Sequence, residues 1–494
     1  ALPILDQIHL VNFGDLGASR AFGIQQASCD WVFMHDADDL FSTNWYLAFL
    51  ERLARDEVDP RTVYHTDLFA RFGVENDIRK MIDSDDGRFH PLMLASEWYF
   101  SNKAVLHRGL LDEIPMPYNN LHNGIGNEDW TWASHSLAAG IRHVPLPETI
   151  CFYRTKAVAD SLGLTPGMIH DASPLYDTEN IFAQAVERDS QSRRLRGFAP
   201  ALVAKADPVI GEGPLPDWFW AEVDAQGVHE SQITEFSARR SHIQSYFPGL
   251  NYNVVSAVEY MMKDMDTRPK IFLFASTSQL QGADNIIDLF LRAAAQHDSE
   301  SYQPVLIIDE GTLVPSDMRL LVSYGAKVIA INHLCSYYRC EDWYFYRLLM
   351  RPLIQFKGSI LLDLCSHTCA ELFTHFHRVL IENFAIYRPI LLDRQPDILS
   401  AGFRNLINNA QRFAQHSKAA LPVLCRPELL DFLNRSTHLA AVALPDEAVD
   451  AIEQVTTLRY RQSESAPVPL LLAPLLADQP QVPSATESVA HVIY

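Results

Sequence analysis

Three pieces near the start of the chain constrain what it can fold into. They are an apolar run at residues 8–11, a helical pattern over 18–27, and a second apolar run at 31–34 that feeds directly into His35-Asp36-Ala37-Asp38-Asp39. Gly14 and Gly17 punctuate the turn before the helix, whose Ala21, Ile24 and Ala27 share one face. Strand, helix, strand is the order of a parallel α/β sheet, because parallel neighbours need a crossover between them. Further helices are expected at 47–54 and at 129–139, where Gly140 stops the second, with strands at 62–65 and 150–153.

At the end of a strand, residues i and i+2 point to the same side, so Asp36 and Asp38 are expected to converge. Two carboxylates there suit a hard divalent cation, Mn²⁺ or Mg²⁺, and open α/β sheets bind ligands at that end of their strands. A plainer reading is a solvated acidic turn that caps the next helix, for which Ser42 and Asn44 are suitable residues. The second acidic group is Gly126-Asn127-Glu128-Asp129-Trp130, at the start of a predicted helix. Asn127 reads as an N-cap, and first-turn carboxylates are favoured by the helix dipole whether or not they do chemistry. The chemical reading is a general base that takes a proton from an attacking hydroxyl. On residues alone both readings stand.

The order and spacing of these pieces over residues 8–165 resemble the family 2 glycosyltransferases. The resemblance is carried by Gly17-Ala18-Ser19-Arg20-Ala21-Phe22-Gly23-Ile24, the run through Asp39, Glu128-Asp129-Trp130, and Tyr153-Arg154. It implies a GT-A nucleotide-diphospho-sugar transferase domain. In such a domain Asp36 and Asp38 would handle the metal and the diphosphate, and Asp39 would assist through sugar or acceptor contacts. Arg20 would approach the nucleotide, Asp129 would be the base, and Glu128 would orient the acceptor. The family's opening strand, reading like Val-Ser-Ile-Ile-Pro, and a later Asp-Asp-Gly-Ser are not found. The expectation is therefore a domain lacking its first strand–helix units, about 60–90 residues by ordinary βα lengths, with the activity of the chain as it stands left open.

From 186 to 267 the periodicity weakens, and Pro208, Gly211, Gly213, Pro214 and Pro216 mark a connector, although Trp218-Phe219-Trp220 points to packing on a neighbour. A second α/β pattern follows, with strands at 271–275, 305–308, 328–331 and 360–362 and helices at 284–295 and 366–384. Gln281-Gly282-Ala283-Asp284, after its first strand, resembles the opening of family 4 (GT-B) glycosyltransferases. The expected organisation is thus a GT-A domain at 1–185, a connector at 186–267, a Rossmann-like domain similar to the first GT-B lobe at 268–462, and a Pro- and Leu-rich tail at 463–494. The fold class is α/β.

Charge and composition narrow the partners. With 40 basic against 61 acidic residues, the net charge of −21 disfavours broad phosphate-backbone binding, so nucleic acid is not expected. No apolar run reaches the roughly 18 residues of a membrane-spanning helix. Seven scattered cysteines fit reduced thiols better than a disulfide framework, and the expected location is cytoplasmic, with peripheral association at the inner membrane face open to it. The function expected is metal-dependent, inverting transfer of a sugar from a nucleotide-sugar, a UDP-sugar in the first instance, to a glycan or lipid-linked acceptor in surface polysaccharide biosynthesis. The alternative from another class is a non-catalytic glycosyltransferase-like scaffold of a polysaccharide assembly complex.

Overall fold

A computed structural model of the 494-residue chain describes residues 7–156, 168–181, 183, 211–238, 244–246, 252–276, 302–309, 325–337, 343–363, 366–389, 423–425 and 441–443. It divides into two compact units, Ala1–Glu259 and Tyr260–Tyr494.

The first unit is a mixed, eight-stranded sheet with helices on it. Its centre is a long parallel pair, β3 (Thr62–Gly73) and β6 (Arg142–Thr155). Beyond β3 lie β5 (Ala104–His107) and then β1 (Trp31–Phe33), both antiparallel. Further along the same edge of β3 runs β4 (Asp77–Lys80). On the far side of β6 is the two-residue β2 (Leu40–Phe41). Alternation along β3 sends Val63 and Tyr64 to opposite faces. Val63 joins Ile24, Leu106 and Trp132 in one core, and Tyr64 joins Trp45, Phe49 and Val105 in another. Helices α1 (Leu16–Gln26) and α4 (Glu128–Ala138) supply Ile24 and Trp132, and α2 (Trp45–Ala54) supplies Trp45 and Phe49. The four-residue α3 (Leu110–Glu113) follows β5.

Two expectations change here. Residues 8–11 form no strand: they are exposed and enter no ladder among the described residues, and a strand without a ladder partner has no backbone hydrogen bonds to hold it. Residues 186–267 are not simply a connector. Within them β7 (Gly211–Pro214) and β8 (Gln244–Tyr246) extend the first sheet through β4, and α5 (Asp217–Gly227) is laid on it. Phe219, Trp220 and Val223 bury against Leu68, Ala70, Phe72 and Phe152, so the aromatic cluster does pack onto a neighbour.

The second unit holds a parallel sheet of seven strands: β9 (Lys270–Ser276), β10 (Gln303–Asp309), β11 (Lys327–Ala330), β12 (Ile360–Asp363), β13 (Ala385–Pro389), β14 (Val423–Cys425) and β15 (Ala441–Ala443). Their order is β11-β10-β9-β12-β13-β14-β15, so the direction of winding reverses between β9 and β12. Continuous burial along β10 and β12 is what a sheet covered on both faces requires. Ser366 caps the helix His367–Asn383, and Asp309 at the end of β10 accepts from the Ser366 hydroxyl at 2.6 Å. The Gln281–Asp284 turn and the tail lie outside the described residues. No helix among the described residues is long and apolar enough to cross a membrane.

Candidate active site

The acid turn, Asp36 to Asp39, begins after β1 has ended at Phe33. The alternation that would align Asp36 with Asp38 therefore does not reach them, and each acid takes its own direction. The turn is held at both ends. Met34 N–H donates to the Ala104 carbonyl at 2.9 Å, continuing the β1–β5 ladder, while β2 pairs with Cys151 and Phe152 of β6. Arg154, at the end of β6, clasps the turn: its backbone N–H donates to Asp39 Oδ1 at 2.9 Å and its Nε to the Asp38 carbonyl at 3.3 Å.

Helix α1 is fixed by its first turn. Asp15 caps it through Oδ1, which accepts from Ala18 N–H at 2.7 Å, and Oδ2 accepts from Asn119 N–H at 2.8 Å. Gly17 makes this contact possible, since a Cβ there would lie 2.2 Å from the Pro117 carbonyl oxygen. One turn later Arg20 reaches inward. Its Nη2 donates to both Asp36 oxygens, at 2.9 and 3.0 Å, and its Nη1 pairs with Glu128. Arg20 thus joins two acidic clusters that the sequence keeps far apart; Arg20 and Glu128 are 108 positions apart.

Glu128 and Asp129 open α4, as the sequence suggests. Asn127 sits at its N-cap in the left-handed region, φ +58°, where asparagine is tolerated better than most residues, and its side chain makes no cap hydrogen bond. Two indoles anchor the helix: Trp130 Nε1 donates to the Leu94 carbonyl at 2.7 Å and Trp132 Nε1 to the Ile114 carbonyl at 2.9 Å. Asp129 Oδ1 accepts its own helix's Trp130 N–H at 2.8 Å.

A residue that the motifs do not flag sits at the centre. Lys103, immediately before β5 and only 6% exposed, places its ammonium 2.7 Å from Asp36 Oδ2, 3.7 Å from Asp39 Oδ2 and 4.7 Å above the Tyr153 ring. No local signal distinguishes it in sequence, for it is a lone lysine ahead of an apolar strand. Asp38 instead turns to Lys156, at 2.6 Å. So Asp36 and Asp39, not Asp36 and Asp38, share a partner.

These environments move the proton affinities apart. Burial alone would raise Asp36, but Lys103 and Arg20 beside it prevail and hold its carboxyl at about 2. Burial raises Asp39 to about 6 against the pull of Lys103, and its Oδ2 accepts no hydrogen bond. Asp129 is also raised to about 6, by burial first and then by Glu128. Burial would lower Lys103, yet Asp36 and Asp39 outweigh it and raise the ammonium above its ordinary value. The neighbouring His35 is pushed down to about 4 by burial; it accepts from Trp45 Nε1 at 3.2 Å and stacks on Phe41, which makes it part of the packing under the turn.

Residues 6–110 fit the family model described as Glycosyl transferase family 2. That span contains Arg20, the acid turn and Lys103, and it ends before Glu128 and Asp129. No curated protein and no solved structure matches the chain.

Proposed function

We propose that the first unit transfers a sugar from a nucleotide-sugar, a UDP-sugar in the first instance, to a hydroxyl of a glycan or lipid-linked acceptor with inversion. The observation that carries this reading is Arg20, which lies within the stretch 6–110 that fits the family model and brings Asp36 of the acid turn and Glu128 of the second acidic pair to one guanidinium.

Asp36 and Asp38 offer hard oxygen donors from one turn. Among the described residues no group of three His, Cys, Asp or Glu side chains stands ready for a metal. Asp36 and Asp38 would hold Mn²⁺ or Mg²⁺ together only with Asp38 turned from Lys156 toward Asp36, and one or two carboxylates with phosphate oxygens and water are a common shell for such ions. When bound, such an ion neutralises charge on the leaving diphosphate. Arg20 supplies a planar donor pair suited to phosphate oxygens, and Asp39 borders the sugar or acceptor. Asp129 takes the acceptor proton; a carboxylate tuned to about 6 is ionised at neutral pH yet more basic than an ordinary aspartate. Glu128, beside it, orients the acceptor. The second unit is a Rossmann-like domain similar to the first GT-B lobe, and the pathway is surface polysaccharide assembly, acting from the cytoplasmic side with peripheral contact at the inner membrane face.

The test is UDP release from UDP-sugars by the full chain with Mn²⁺. Asp38→Ala and Asp129→Asn are each expected to abolish it while the fold persists; retained turnover in both would remove these roles. One observation favours the scaffold reading: Asp36 and Asp38 already have protein cations as partners, Lys103 and Lys156. That reading predicts no turnover in the unmodified chain.

A further inference from the structure

The two anions that share Arg20 are not equally dependent on it. Asp36 has a second cation, Lys103, at 2.7 Å on its other oxygen. Glu128 is the first residue of an eleven-residue helix, whose dipole favours a negative charge there. If Arg20 swung away, neither carboxylate would be left as an uncompensated buried charge, which is the usual reason a buried ion pair is costly to break. The guanidinium itself is only 11% exposed and has both of its terminal nitrogens committed, Nη2 to Asp36 and Nη1 to Glu128. An arriving diphosphate therefore meets a guanidinium already occupied.

We propose that the Arg20–Glu128 pair is a latch on the donor site: a nucleoside diphosphate competes with Glu128 for Arg20, and its binding releases Glu128 toward the acceptor side. Glu128 is then a positioning residue that sets the affinity for the donor's diphosphate and couples its arrival to the helix carrying Asp129. The inference rests on the donor reading above and adds an order to it, diphosphate first and acceptor second. Lys103 is the holding cation that lets Asp36 keep its place when Arg20 turns.

The discriminating measurement is UDP affinity with Mg²⁺, by calorimetry on the full chain, for the unmodified protein, Glu128→Gln and, as a charge control away from the site, Glu113→Gln. The glutamine still accepts from Arg20 but no longer holds it as an anion. Exchanging a charged hydrogen bond for a neutral one should tighten UDP binding by about fivefold. The Glu113→Gln chain, altered at an exposed carboxylate whose partner is Arg61, should bind UDP as the unmodified protein does. In kinetics Glu128→Gln should lower the donor KM while lowering kcat, a split that a merely structural role would not produce. Glu128→Asp, whose shorter side chain reaches Arg20 less well, should move UDP affinity in the same direction and serves if the glutamine variant does not fold. UDP binding that is unchanged or weaker in the folded Glu128 variants would overturn the latch alone. Absence of UDP binding in the unmodified chain would overturn the donor reading and the latch with it.

Discussion

Asp129 carries a raised proton affinity for a physical reason: it is shielded from water and Glu128 adds like charge. In the proposed role of general base it must be ionised, so kcat/KM is expected to climb as pH rises through about 6 and to fall away below. Asp129→Asn should lower kcat by about 10²–10⁴-fold and erase that limb. The same shift has the opposite sign for stability. A carboxyl whose folded pKa is raised favours its protonated form, so its contribution is lost as pH rises from the ordinary 3.8 toward 6. Asp129→Asn should therefore melt higher than the unmodified chain at pH 7, a stability gain tied to a loss of function. The acids were legible in sequence because each cluster is contiguous. Lys103 was not, because its role comes from the ladder that sets β5 beside β1 and brings Ala104 to Met34. The expected convergence of Asp36 and Asp38 assumed a strand that in fact stops at Phe33.

Helix α1 positions Arg20 only because its first turn can approach the loop at Pro117. Gly17→Ala places a methyl against a backbone carbonyl that cannot rotate away, so α1 must shift. The expected cost is about 1–3 kcal/mol in unfolding experiments, with weaker UDP binding because the guanidinium moves too. Gly17 was visible in sequence as a turn marker, but its close approach was not, since Pro117 lies far along the chain. A second element-scale device joins β3, β6 and α4. His65 Nε2 and His143 Nδ1 are 2.9 Å apart, and His143 Nε2 lies 2.7 Å from the Ser136 hydroxyl, all buried. Burial lowers His65 to about 3 and His143 well below its usual value, the latter also opposed by His65. Depressed folded pKa values mean that this stability is present above the unfolded value of 6.5 and is lost as pH falls below it. The thermal midpoint should drop steadily on acidification from pH 6.5, and His65→Phe combined with His143→Leu should flatten that drop.

At the scale of the molecule, the first unit needs residues well beyond those whose motifs announce it. Leu215, Phe219, Trp220, Val223, Ile233 and Phe236 complete the core over Leu68, Ala70 and Phe72. A fragment ending at 185 is expected to lose cooperative unfolding, whereas one ending at 259 should retain it; Trp220→Ala in the full chain should cost about 3–5 kcal/mol. In the second unit β9 to β12 stand where periodicity placed strands, while β13, β14 and β15 were not expected; in the first, the parallel order expected from 8–34 gives way to a mixed sheet in which β1 pairs antiparallel with β5. The attachment of 211–246 to the first sheet could not be read from periodicity, because short strands such as Gly211–Pro214 carry no apolar alternation and are defined by their ladder partners. The central claim is that two acidic clusters meeting at Arg20 form a site for a nucleoside diphosphate. Calorimetric titration of UDP into the full chain with Mn²⁺, beside Asp38→Ala, tests it most directly. Saturable heat is expected in the unmodified chain, abolished or greatly weakened by Asp38→Ala; no heat in the first, or equal heat in both, would contradict a diphosphate site there.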